Sequence, residues 1–456
     1  MKQLSADEKY IQMTRTPVER LICRLAIPTI ISMLITTIYN MADTFFIGRL
    51  NSTSASGAVG VAFALMAIIQ AVGFFFGQGA GNNVSRELGN HNQKAAERLA
   101  STGFFSALIS GTLLLVLGLI FLEPLAIVLG STDTILPYAK DYIRVILIGA
   151  PYMAASIVLN NLLRFQGNAF YGMIGLAGGG ILNILLDPVL IFGMDLGISG
   201  AAWATIISQF VSFLILLYQT NRAGIVKIHI RNFRPGWGIY RTIINGGLPS
   251  LLRQSIASVA TISLNAAAKP YGDAAIAAMG IVARIMNFTN SVVIGFGQGF
   301  QPVCGYNYGA RLYPRVRKGF WFGIQFTTIF LICISLAEIW LALGFVELFR
   351  KGDPQVLEIG TRALRLQCCT ACLFGWIMMS NMMMQTMGKV IRASFLGIAR
   401  QGIFLIPIVL ILPRFIDLWG IQLAQPISDI ITFLFAIPMQ LRLLREMKDE
   451  ERTFAA

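Results

Sequence analysis

Two aspartates, Asp43 and Asp187, lie inside long apolar runs. An acid in a lipid-spanning segment is expensive, and such residues usually face a cavity or carry ions and protons. Counted inward from the outer ends of their runs, Asp43, Asp187 and Thr205 are each six residues in. At 1.5 Å per residue that is about 9 Å. Tyr39 precedes Asp43 by four residues and Asn183 precedes Asp187 by four, so each pair shares a helix face. Carboxylate, amide and hydroxyl groups thus converge on one pocket whose chemistry is uptake of a proton or small cation. Pro188 removes a backbone hydrogen bond beside Asp187 and favours a bend there. The competing account is that both acids cap or pair structurally near the headgroups.

A second set of charges lies deeper. Arg253, Arg284, Arg400 and Asp429 are ten or eleven residues from their nearest span ends, about 15 Å deep and near the bilayer midplane. Three cations and one acid at one depth are expected to face inward and to pair. They form either a substrate pocket or a fixed charge network, and their excess positive charge also suits a carboxylate or phosphate. Met378, Met379, Met382, Met383, Met384 and Met387 cluster in one run. Methionine is flexible and polarizable, so Met382 and Met383 are candidates for a cavity wall that accepts many shapes, with gap filling as the alternative. Glu338 lies toward the outer end of its span, where it can reach water. Cys368, Cys369 and Cys372 lack partner His or Cys residues and read as small apolar-helix residues.

The elements that must position these groups are membrane helices. Apolar residues make up 55% of the 456-residue chain and charged residues 13%, against about 25% charged in soluble domains. Mean hydropathy is +0.68. Twelve runs are long enough to cross a hydrocarbon core of ~30 Å, near 21–49, 55–80, 98–122, 137–163, 168–193, 199–220, 243–268, 274–302, 318–348, 355–385, 389–413 and 419–443. The expected fold is all-α, a polytopic bundle of two six-helix halves. Residues 1–220 form an N-lobe, 221–242 a cytoplasmic linker, and 243–456 a C-lobe with its tail. Phe76-Gly77-Gln78-Gly79 recurs as Phe296-Gly297-Gln298-Gly299, a shift of 220 residues that also relates Gly60 to Gly280 and Gly89 to Gly309. Such a shift implies duplication, the usual architecture of secondary transporters.

Charge placement sets the expected orientation. Of 36 Lys and Arg, 24 lie in or at the helix ends beside the segments that are cytoplasmic if the N-terminus is inside, and nine in or beside the outer segments. This favours both termini in the cytoplasm of a plasma (inner) membrane, multi-pass protein. The net charge of +14 therefore belongs to membrane flanks, and nucleic acid is not an expected partner. No nucleophile–base pair or phosphate loop stands out, so an enzyme is not expected. A channel would need a continuous pore, which two halves around a buried acidic pocket do not suggest.

The chain resembles the multidrug and toxic compound extrusion (MATE) transporters, a prokaryotic type with acidic residues in the N-lobe. The resemblance runs over nearly the whole chain and rests on Tyr39-Asn40-Met41-Ala42-Asp43, Asn183-Ile184-Leu185-Leu186-Asp187-Pro188, Gly200-Ala201-Ala202-Trp203-Ala204-Thr205 and the paired Phe-Gly-Gln-Gly segments. It implies twelve helices in two lobes and export of small organic, often cationic, substrates in exchange for H+ or Na+ by alternating access. It also implies no cofactor, membrane lipid as surroundings, and a monomer. Carried over by position, the cation-site residues are Asp43, Asp187, Asn183, Thr205 and Tyr39, with Asn160 added, and Na+ would sit at Asp43 and Asp187. Relatives with a C-lobe sodium site carry acids in the seventh and tenth helices, which this chain lacks apart from Glu358. A lipid-linked oligosaccharide or lipid flippase of the same broader superfamily is the alternative, with anionic substrates at the midplane arginines.

Overall fold

The computed structural model describes residues 5–49, 53–350 and 352–455, and Lys351, counted among the outer cations, lies outside them. The first half comprises α1 (Ala6–Arg15), α2 (Val18–Gly48), α3 (Thr53–Gly89), α4 (Gln93–Ile120), α5 (Leu122–Val128), α6 (Leu136–Phe165), α7 (Ala169–Pro188) and α8 (Gly197–Ala223). The second comprises α9 (Trp237–Ala268), α10 (Asp273–Gly309), α11 (Tyr313–Trp340), α12 (Ala342–Phe349), α13 (Pro354–Thr386), α14 (Val390–Ile398), α15 (Leu405–Ile411) and α16 (Pro413–Ala455). There is no strand among the described residues. Among the described residues, eleven helical segments are long and apolar enough to cross a membrane. The expected seventh span, α9, is a 32-residue helix outside that set. Arg241, Asn245, Arg253 and Gln254 lower its hydropathy.

The repeat is visible in the elements. α3 and α10 are both 37 residues long, and α4 and α11 both 28. The Phe-Gly-Gln-Gly copies sit on α3 and α10, each crossing the first long helix of the opposite half. A Cβ on Gly79 would overlap the carbonyl oxygen of Ile243 on α9, and one on Gly299 the backbone of Ala26 on α2. Only glycine permits that approach at both crossings. The Thr29 hydroxyl adds a bond to the Gly295 carbonyl at 2.6 Å, and Thr386 donates to Asn82 Oδ1 at 2.9 Å. Ion pairs Lys318–Glu19 and Arg317–Glu451 bring the start of α2 and the end of α16 to this same end. The two halves are therefore knitted together at the end that carries both described termini.

Two departures from the apolar pattern matter. The expected span 318–348 is broken at Leu341, and α12 is a separate short helix. Apolar residues run through the break, so hydropathy does not mark it. Short π-helices follow α7 (Val189–Gly193) and α14 (Ala399–Ile403). The first starts directly after Pro188, whose missing N–H loosens the α-ladder; the second contains Arg400.

Candidate functional site

The N-half site lies where α2, α6, α7 and α8 meet. Asp43 is 4% exposed and Asp187 fully buried, with Asn183, Thr205 and Tyr142 buried beside them. Asn183 Nδ2 donates to Asp187 Oδ1 at 3.3 Å, one turn apart on α7. Asp43 lies on α2 and Asp187 on α7, two helices that pack against each other. Tyr142 lies on α6 and Thr205 on α8, and these two helices pack against each other. Tyr39 stands one turn before Asp43 and packs over Gly180 of α7, with Cδ1 3.4 Å from the position a Cβ would take. Four buried oxygens here have no hydrogen-bond partner: Asp43 Oδ1, Asn183 Oδ1, Asp187 Oδ2 and the Tyr142 hydroxyl. Buried polar atoms are normally paired, so a group of orphans around two acids marks a place for a positive charge. Oxygen-only donors suit a proton or a hard cation such as Na+.

A cleft of about 900 Å3 opens at the end of the bundle away from the termini, between α2 and α3 on one side and α10 and α12 on the other. Asn40, Gln70 and Asn287 supply amides, and Phe45 and Phe63 supply apolar faces. Its charges are Arg49 and Arg284, one from each half, with no carboxylate among the described lining residues.

The second half arranges its charges separately. Arg400 grips Asp429 with two bonds, 2.7 Å from Nε and 3.3 Å from Nη2. Gln425 adds a third at 2.7 Å, and Phe374 stacks under the guanidinium at 4.4 Å. Arg253 donates to Asn381 at 3.3 Å. Glu338 is 3% exposed and accepts from the Thr289 hydroxyl at 2.5 Å and the Cys368 thiol at 3.2 Å.

The MatE family model matches two stretches, residues 28–189 and 249–411. The chain belongs to the MatE family. The starts of the two matches differ by 221 residues, close to the internal shift of 220 read from the sequence. This MatE chain is 27% identical over 435 residues to the multidrug export protein MepA of Staphylococcus aureus (strain NCTC 8325 / PS 47), covering 94% of this chain and 95% of that one. MepA of Staphylococcus haemolyticus (strain JCSC1435) is 25% identical over 445 residues, 96% and 97% of the two chains. The fold matches the outward-facing conformation of a multidrug resistance MATE family transporter of the MOP superfamily with a TM-score of 0.92, 25% identity and coverage of 98% and 100%. It matches equally fully a MOP superfamily transporter from Pyrococcus furiosus Vc1 (DSM3638), at TM-score 0.91 and 25% identity, in which reverse polarity of the binding pocket suggests a different function for that protein. The chain is thus a multi-pass membrane transporter of the MATE multidrug efflux family.

Within this MatE framework several sequence expectations change. Asn160 does not join the acids. It packs over Gly172 at the far end of α7, and it is 18 residues from Tyr142 on α6, about 27 Å along the helix. Met382 and Met383 do not line a cavity. Both are 1% exposed or less, because α13 runs through the middle of the second half. Met382 packs with Val293, Leu331 and Phe374, and the Met383 sulfur accepts from Gln440 at 3.1 Å. The four deep charges split three ways: Arg400 with Asp429, Arg253 with an amide, and Arg284 into the cleft. Glu338 does not reach water; α10 and α13 close over it. Tyr142 is the site residue that the sequence does not mark out, although it lies five residues into the 137–163 run, at nearly the depth of Asp43.

Proposed function

We propose that this MatE protein is a secondary antiporter in which Asp43 and Asp187 take up the coupling cation and substrate leaves through the cleft between the halves. The observation that carries this reading is the cluster of four orphaned buried oxygens around two buried carboxylates. Two anions in a dry pocket are unfavourable until a positive charge enters. That entry changes which helix packing is favoured, and coupling requires the substrate to favour a different one. The proton is the proposed coupling ion, with Na+ at the same residues as its competitor. We place the protein as a monomer in the plasma membrane with both termini cytoplasmic, so that the cleft faces outward. The lobes divide at residues 220 and 243, with the segment between them as a cytoplasmic linker.

The test is transport by the purified protein in proteoliposomes under an imposed pH or Na+ gradient. Asp43→Asn and Asp187→Asn should each abolish gradient-driven export while the protein still folds. Full gradient-driven transport in either variant would sink the assignment. A second reading has its own support: Arg49 and Arg284 face the cleft without a carboxylate, which favours anionic, lipid-like substrates and a flippase role. Counterflow with cationic and anionic dyes separates the two.

A further inference from the structure

We propose that a cavity at the terminus end of the first half is a binding site for the phosphate headgroup of an anionic phospholipid. It lies apart from the Asp43–Asp187 site and does not depend on the role assigned there. The cavity holds about 850 Å3 and is walled by α1, the start of α2, the α6–α7 turn and the end of α8. Lys9, Arg24 and Arg222 line it, with no carboxylate among the described lining residues.

The lysine is built in. Lys9 is 6% exposed, and its Nζ donates to the Gly167 carbonyl at 2.8 Å and to Asn168 Oδ1 at 3.0 Å. An ammonium has three donors, so one is left. Asn168 is itself fixed, its Nδ2 donating to the Ala223 carbonyl at 2.8 Å. Gly167 has φ +77°, and Lys9 Cε lies 2.9 Å from where a Cβ would stand, so glycine lets the lysine reach the turn. Burial, and secondarily the charge of Arg24, push the Lys9 pKa down from its ordinary value to about 8. Arg24 is exposed with no hydrogen-bond or ion-pair partner among the described residues. Arg222 donates to the Tyr218 hydroxyl at 2.6 Å.

Among the described residues no acid is paired with these cations, and Glu19 at the start of α2 is taken up by Lys318 at 2.8 Å. On α1, Glu8 is turned back onto the Ser5 backbone N–H at 2.7 Å, and Asp7 lies in the first turn. The α6–α7 turn brings only Gly167 and Asn168 to the ammonium. α10 approaches through Asn307, bonded to the Met13 carbonyl at 3.1 Å, and His91 stacks on Tyr10 at 3.8 Å. Three cations held together without an anion are mutually unfavourable, and a phosphate bridging them reverses that sign.

The rest of the wall argues for a lipid over a free phosphate. Leu21, Leu25 and Pro28 follow one another at i, i+4 and i+7, a stripe running up α2. Phe170 and Tyr171 of α7 stand among the lining residues with them. The stripe is the buried floor of the cavity, whereas Phe170 is 43% exposed and offers the acyl chains of a headgroup held by the cations a surface to lie on; basic pockets between membrane helices recognise anionic headgroups in this way.

Native mass spectrometry of the delipidated full-length protein, titrated with phosphatidylglycerol, phosphatidylcholine or glycerol phosphate, tests this. Phosphatidylglycerol should bind about tenfold or more tightly than phosphatidylcholine, and R24Q/R222Q should remove that preference. Both arginines are exposed, so the variant should fold, which its melting temperature checks. Arg20→Gln, on the same helix but outside the cavity, should leave binding unchanged. Affinity should fall as pH rises through and above about 8, where Lys9 loses its charge, and Lys9→Gln should flatten that dependence. Equal binding of the two phospholipids, or an unaffected R24Q/R222Q protein, overturns the proposal. Glycerol phosphate binding as tightly as phosphatidylglycerol overturns it too, by making a soluble phosphate the ligand.

Discussion

At the scale of single residues, the proposed cation pocket is an incomplete set of partners. The Tyr142 hydroxyl is buried without a hydrogen bond, and an unpaired buried group costs about 1–3 kcal/mol. Tyr142→Phe should therefore leave the ion-free protein as stable or raise its stability by up to that amount. It should also weaken the coupling ion about tenfold, the effect of losing one ligand or hydrogen bond of about 1.4 kcal/mol. Thermal unfolding and the ion dependence of transport check the two halves of this prediction. Arg400 and Asp429 behave oppositely, because they complete each other. Arg400→Ala should destabilise by about 3–5 kcal/mol, since it strands a buried carboxylate. Replacing both with apolar residues of similar size should recover most of that loss in the same unfolding measurement. Asp43, Asn183 and Asp187 were legible in the sequence because four-residue spacing and depth are properties of a helix alone. Tyr142 was not singled out, since an aromatic residue near a span end is ordinary. The core position of Met382 and Met383 depends on α13 being surrounded, which no single helix records.

At the scale of elements, hydropathy located the helices and missed what interrupts them. The break at Leu341 passes through apolar sequence, whereas Pro188 announces the π-segment that follows it. The repeated glycines were readable as a duplication, but their purpose lies in helices some 160 to 270 residues away in sequence. Their role predicts a specific failure. Gly79→Ala or Gly299→Ala must push α3 from α9 or α10 from α2, because the clash is with backbone. Overpacking of this kind costs about 1–3 kcal/mol. The cost falls on the closed terminus end and not on the open end, so the equilibrium should shift toward opening there. Cysteine labelling at that end, faster in either variant than in the parent, is the expected result; unchanged labelling would show that the crossing has slack.

At the scale of the whole molecule, the halves share a frame and differ in charge. The first keeps two carboxylates without a cation beside them, and the second pairs Asp429 with Arg400 and covers Glu338 with hydroxyl and thiol donors. The bundle is tight where the termini lie and parted at the cleft that Arg49 and Arg284 line. That asymmetry decides where an electrical potential falls. Water filling the cleft is a conductor and holds its floor near the voltage of the open side. The remaining drop is concentrated across the thin layer where Gly79 meets Ile243 and Gly299 meets Ala26. A unit charge crossing the full drop exchanges about 2.3 kcal/mol per 100 mV. An ion that enters from the cleft crosses little of that field. The rearrangement that parts the glycine crossings carries the charge through it, so membrane voltage acts on the change of shape more than on the binding of the ion.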